Sequence, residues 1–362
     1  AFENPKGVIS LPTGKTPEYF IKWTHYILNN WDSDKVISIR SNYGLSSKNK
    51  PDLSKLHFIQ IDEFYPLDPS QHNSFSKYVK KYYLEGFNIS EEKALLISAD
   101  DIPIYNNQHW NEIFPDGLID LGLRHADPST DLQKKQQESI YLIDQWCNQY
   151  EEKIRGLGGI GFFLGGIGPD GHIAFNIRGS DHNSTTRLME TNFETQAAAA
   201  TDLGGIEVSK NRLVITIGLG TITYNEQATA IIIAAGEAKA PIVKMSLETG
   251  RDVKYPATAL QKLKNSRFYI TEGASKTLRD TQHHYWQDAP WDIEKKQNAL
   301  LHLAKKKNIY GKKLLYEDLV NDPICKNIPE LNDHTVDEII QSIDSKVQKG
   351  IKTDMNQVFY HT

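Results

Sequence analysis

The sequence predicts an α/β fold with a mostly parallel sheet, followed by a helical appendage. Short apolar runs alternate with segments of helical period, which is the pattern of strands joined by crossover helices. The Gly-rich and polar stretches cluster where those runs end, and in parallel sheets ligands bind beyond the carboxyl ends of the strands. From about residue 276 the pattern changes to Lys-rich helical stretches without strand signals.

The elements follow in order. Residues 7–11 read as a short buried strand, and Pro12-Thr13-Gly14-Lys15-Thr16 leads from it into a helix over 17–30, with Pro17 at a position helices tolerate. Phe20, Trp23, Ile27 and Leu28 recur at helical spacing. A second strand over 58–61 ends in Asp62-Glu63, and 74–84 is an amphipathic helix. A helix over 140–155 precedes a strand over 160–164, which runs into Gly165-Gly166-Ile167-Gly168-Pro169-Asp170-Gly171-His172. Later strands lie over 213–217 and 229–234, the latter followed by a helix from about 237. Helices over 293–307 and 336–349 complete the appendage, giving domains 1–275 and 276–362.

A length of 362 residues suits about two domains with real cores. Apolar residues at 39% and charged residues at 24% exclude a disordered chain, and a net charge of −5 argues against nucleic-acid or anionic-membrane partners. The longest apolar runs fall far short of the roughly 18 residues a membrane span needs. With no visible signal peptide and only Cys147 and Cys325, a reduced, cytoplasmic compartment is expected.

Four features bear on chemistry. The loop 11–17 has the composition of an anion cradle, with small residues exposing N–H groups ahead of a helix N-terminus; an ordinary strand-to-helix turn is the alternative. It is not a nucleotide loop, which needs glycine where Ile9 stands. Asp62 could supply the buried carboxylate that proton abstraction beside a carbonyl requires, or be a solvated loop acid. Asp170 and His172 share one Gly-rich turn, where an aspartate can orient an imidazole for acid/base work; a structural turn with a surface histidine is the alternative. No further ligand lies at metal-binding spacing, so no metal is expected. Lys239, in the first turn of a helix, opposes the helix dipole and invites an anionic ligand; chance placement is the alternative.

Together these residues resemble the glucosamine-6-phosphate deaminase/isomerase family, within a wider superfamily that includes 6-phosphogluconolactonases. The matching pieces are Leu-Pro-Thr-Gly-x-Thr-Pro at 11–17, Asp-Glu-aromatic at 62–64, and Gly-x-Gly-x-Asp-Gly-His-Ile-Ala-Phe-Asn at 166–176. Thr186-Arg187, Ile-Thr-Ile-Gly-Leu-Gly-Thr at 215–221 and Gly-x-x-Lys-Ala at 236–240 follow in family order.

The resemblance implies a Rossmann-like sheet with helices on both faces, acting on a hexose 6-phosphate without cofactor or metal. It assigns sugar-ring opening to His172 with Asp170 assisting, and proton transfer at C2 to Asp62. The loop residues Thr13, Gly14, Lys15 and Thr16, with Gly166 and Lys239, would hold the substrate and its phosphate. Two departures from the family pattern imply reduced or altered activity: Ile177 stands where the family carries a glutamate, and Thr201 near where it carries a phosphate-clamping arginine. Lys15, where relatives usually carry glycine, could supply the missing charge from the opposite side or simply crowd the site. Arg187 matches an allosteric-site residue of some relatives, but Met189 replaces its lysine neighbour, so that regulation is not expected. A homo-oligomer and a fused deacetylase-like domain beyond the appendage are further implications. The competing readings are a catalytically weakened sugar-phosphate-binding relative and a 6-phosphogluconolactonase-like hydrolase.

Overall fold

A computed structural model of the chain describes residues 4, 6–45, 49–193, 195–197, 212–288, 290–309 and 313–359, with backbone alone at 288 and beyond 346. The chain divides into two compact units, Ala1–Leu278 and Arg279–Thr362.

In the first unit, β1 (Val8–Ser10), β2 (His57–Ile59), β4 (Ala94–Leu95), β5 (Phe162–Gly166), β8 (Thr229–Ala234) and β9 (Asn265–Ile270) form one sheet in the order β4-β2-β1-β5-β8-β9. Every pairing in it is parallel. Side chains alternate across the strands and bury against helices on both faces. Val8, Ile59, Phe163, Ala230 and Ile232 pack with Ile140 and Ile143 of α5 (Asp131–Gly156) and Ile242 of α7 (Ala240–Glu248). Leu11, Phe58, Leu164, Ile231 and Ile233 face the other way, toward Ile21 of α1 (Glu18–Asn29) and Val79 of α3 (Phe75–Val79). Fully burying one such side chain contributes about 1.5–3 kcal/mol.

The topology places the site. The chain starts in the middle of the sheet, builds outward through β2 and β4, then returns past β1 to lay down β5, β8 and β9. Strand order therefore reverses between β1 and β5, which pair directly (Ile9 with Phe162, Ser10 with Phe163). The loops leaving those two carboxyl ends diverge from the switch point and open a crevice. They are the loop Pro12–Thr16 and the Gly-rich turn to His172.

Two expected features of the sheet are corrected. Asp62-Glu63 does not end the second strand: it opens a separate strand, β3 (Asp62–Tyr65). Residues 213–217 likewise give β7 (Leu213–Thr216), which joins β3 and β6 (Arg187–Met189) in a small antiparallel sheet instead of the parallel one. All four β3 residues are buried, and so are all four of β7, so neither shows the one-sided alternation usual in antiparallel strands. The central helix also starts earlier than its apolar period suggested, because the Thr130 hydroxyl caps it by accepting from the Gln133 N–H at 3.1 Å.

The second unit contains helices Arg279–Asp288, Ile293–Lys307, Tyr316–Val320 and Asp333–Phe359. Its own core includes Leu300, Leu303, Leu319, Cys325, Val336 and Ile339. Lys295 is 1% exposed, and its ammonium lies 4.4 Å from the centre of the Trp291 ring, a cation–π contact that eases burial of the charge. Both cysteines are free and buried. No described helix is long and apolar enough to cross a membrane.

Candidate active site

A cavity of ≈ 210 Å³ opens at the switch point. Thr13, Thr16, Asp62, Gly166 and His172 line it, with an apolar wall that includes Phe75, Ala174 and Phe175.

The loop after β1 is held from outside the sheet. Tyr83 donates its hydroxyl to the Pro12 carbonyl at 2.5 Å, and Tyr78 to that of Gly14 at 3.1 Å. Gly166 lets the loops approach: a Cβ there would meet Thr16 Oγ1 at 3.1 Å and Cγ2 at 3.2 Å. Pro12, Thr13 and Thr16 of this loop line the cavity, whereas Gly14 and Lys15 do not. Lys239 approaches behind the Gly-rich turn and donates its ammonium to the carbonyl of Ile167, itself a lining residue, at 2.8 Å. Burial lowers the Lys239 pKa, with the charge of Asp170 opposing.

Asp62, 8% exposed, reaches the cavity from β3. No described side chain hydrogen-bonds its carboxylate, and desolvation, reinforced by the charge of Glu63, raises its pKa to about 8. Glu63 points the other way and is structural. It accepts from the N–H groups of Phe64 (3.1 Å) and Ser76 (2.9 Å) and from the Ser74 hydroxyl (2.9 Å), tying β3 to the start of α3. Burial raises its pKa to about 7 despite those bonds.

On the Gly-rich turn, Asp170 Oδ1 lies 2.7 Å from His172 Nδ1. Its Oδ2 accepts from the Arg178 N–H at 3.2 Å and the Asn192 amide at 2.7 Å. Burial alone would raise the Asp170 pKa. The hydrogen bond and charge of His172, with the bonds from Arg178 and Asn192, outweigh it and hold the carboxyl well below the usual range. An ionised carboxylate only accepts, so Nδ1 carries the proton and Nε2 is left for the cavity.

Sequence reasoning passed over Gly168 and Asn192. A Cβ on Gly168 would fall 2.1–2.4 Å from three ring atoms of His172, so this position has to lack a side chain for the ring to lie where it does. The Gly-rich spacing could have signalled it. Asn192 lies outside every motif, and nothing local marks it. Behind the turn, Ala174 takes the left-handed backbone (φ 54°), sparsely populated for a residue with a Cβ. Asn176 constrains it by donating to the carbonyls of Ile173 (3.0 Å) and Ile217 (2.8 Å). Asn176 in turn accepts from Arg187 at 2.9 Å. Ile177 is half-buried and offers the ring no polar atom. Thr201 lies outside the described residues. Among the described residues no cluster of three or more His, Cys, Asp or Glu side chains could hold a metal ion.

No family model matches the chain. Glucosamine-6-phosphate deaminase 2 of Bos taurus is 32% identical over 199 residues, covering 54% of this chain and 67% of the relative. The chain belongs to the glucosamine-6-phosphate deaminase family. The glucosamine-6-phosphate deaminase of Borreliella afzelii is 35% identical over 146 residues, 40% of this chain and 54% of that protein. The chain thus spans about half the length of the Borreliella relatives it matches. Among solved structures, a monomeric glucosamine-6-phosphate deaminase shares the deaminase-family fold at a TM-score of 0.51 and 23% identity, covering 76% of this chain and 89% of that one.

Proposed function

We propose that the chain isomerises and deaminates glucosamine 6-phosphate, or a close amino-sugar phosphate, to a ketose 6-phosphate and ammonia. The observation that carries this reading is the convergence on one cavity of an unpaired, raised-pKa carboxylate at Asp62 and an imidazole oriented by Asp170. Family membership supplies the substrate class.

The phosphate sits at the loop after β1, on the backbone and the hydroxyls of Thr13 and Thr16 beside Gly166, with Lys239 supplying positive charge. Lys239 exchanges the Ile167 carbonyl for the phosphate. His172 Nε2 takes the proton of the C1 hydroxyl and returns it to the ring oxygen as the C1–O5 bond breaks, with Asp170 stabilising the transient imidazolium. Asp62 removes the C2 proton while the substrate's ammonium group gives one to O1, forming an enolamine, and Asp62 then delivers its proton to C1. The resulting C2 imine adds water and expels ammonia, leaving the C2 ketone. Holding the phosphate fixes C1 and C2 against both groups, the positioning contribution to the rate.

A binding-only relative is the second reading, favoured by Ile177, which gives His172 no further partner. The test is ammonia release from glucosamine 6-phosphate by the purified chain. Turnover supports the first reading; saturable binding without ammonia selects the second. Residence in the cytoplasm and assembly as a homo-oligomer belong to the same proposal, the latter read from the mass in solution.

A further inference from the structure

We infer that Asn192 is a positioning residue, whose side-chain amide holds the Asp170 carboxylate in the plane that fixes the His172 ring. The inference rests on the reading above only in taking His172 as an acid/base group.

The two oxygens of Asp170 have separate tasks. Oδ1 faces His172 Nδ1 at 2.7 Å, whereas Oδ2 faces away and accepts from Asn192 Nδ2 at 2.7 Å and the Arg178 N–H at 3.2 Å. A carboxylate held through one oxygen alone still rotates about its Cβ–Cγ bond. Two donors on Oδ2, from residues 8 and 22 positions away, remove that freedom. Asp170 is 3% exposed, so water does not readily replace a lost donor. Thr195 lies 3.4 Å from the same Nδ1, at the outer limit of a hydrogen bond, and the Ile177 side chain offers none. Orientation of the ring falls to Asp170, and that of Asp170 to the Asn192 amide together with the backbone N–H groups of Arg178 (3.2 Å) and His172 (3.4 Å), of which the Asn192 bond is the shortest.

Asparagine meets two demands here. While Nδ2 donates to Asp170, its Oδ1 accepts from the Thr195 N–H at 3.0 Å, capping the turn that follows. Aspartate or serine at 192 would keep the cap and lose the donation. Aspartate would set a second carboxylate against Asp170, and the serine side chain is too short to reach it.

The test uses the full chain with ¹⁵N-labelled histidine, in wild-type, Asn192→Asp, Asn192→Ser and Asn192→Ala forms. The His172 signals are those missing from a His172→Gln spectrum. Wild-type His172, when neutral, is expected as the Nδ1–H tautomer, and all three variants are expected to move toward Nε2–H, the form favoured in water. In the ammonia assay kcat falls about tenfold or more while KM stays within twofold, because the phosphate contacts are untouched. Retention of the Nδ1–H tautomer in the two cap-preserving variants overturns the inference, as does a wild-type ring that is not Nδ1–H. If the wild-type chain releases no ammonia, the deaminase reading fails while the tautomer comparison still decides the role of Asn192.

Discussion

Burial of Asp62 beside Glu63 pushes its pKa up to about 8, so the carboxylate proposed to accept the C2 proton is half formed at that pH and complete only above it. The expected profile of kcat/KM rises with pH up to about 8 and then levels. Asp62→Asn keeps the shape of the side chain and loses the base, so ammonia release should disappear; activity within a few-fold of wild type would remove Asp62 from the mechanism. The same residue costs stability. Between its ordinary value of 3.8 and about 8, the folded chain retains a proton that the unfolded chain has released, so this contribution falls as pH rises through that window. Asp62→Asn should therefore melt higher than wild type at pH 8, with the difference vanishing near pH 4. At Gly168 steric contact decides. A methyl group 2.1–2.4 Å from the imidazole must displace it, so Gly168→Ala is expected to lower kcat on the order of a hundredfold, with circular dichroism unchanged.

The small sheet of β3, β6 and β7 carries one wall of the site, and its pairing shows what local pattern misses. Asp62 pairs with Thr216, and Thr216 with Arg187, bringing together residues far apart in the chain. Uniform burial of β3 and β7 reads locally like a parallel strand, and partner choice is a non-local matter of closing one sheet against another. Arg187 lies at the end of this sheet and donates to Asn176 (2.9 Å), Ser180 (3.2 Å) and the Thr185 carbonyl (3.2 Å). Arg187→Met should destabilise the chain by about 1–3 kcal/mol in urea unfolding by leaving polar partners buried without their donor. It should also lower kcat, since Asn176 braces the turn behind Ala174. An unchanged unfolding midpoint would show that the arginine contributes nothing to the fold.

At the scale of the molecule, the described lining of the cavity lies wholly within Ala1–Leu278, and Arg279–Thr362 buries a core of its own. A chain ending at Leu278 is expected to unfold cooperatively and release ammonia with kcat/KM close to that of the whole chain. Loss of folding or turnover on truncation would show that the second unit supports the first.

The alternation of strand and helix, the loops at the strand ends and the proximity of Asp170 to His172, two positions apart, are all legible in the order of residues. Each depends on hydrophobic period, turn chemistry or short spacing, which act between near neighbours. Long-range packing set Lys15 apart from the cavity lining, turned Glu63 to brace α3 and Asp62 toward the cavity, and brought Asn192 to Asp170 across 22 residues. Desolvation and hydrogen-bond partners depend on which distant elements cover a side chain, and no local pattern encodes that covering.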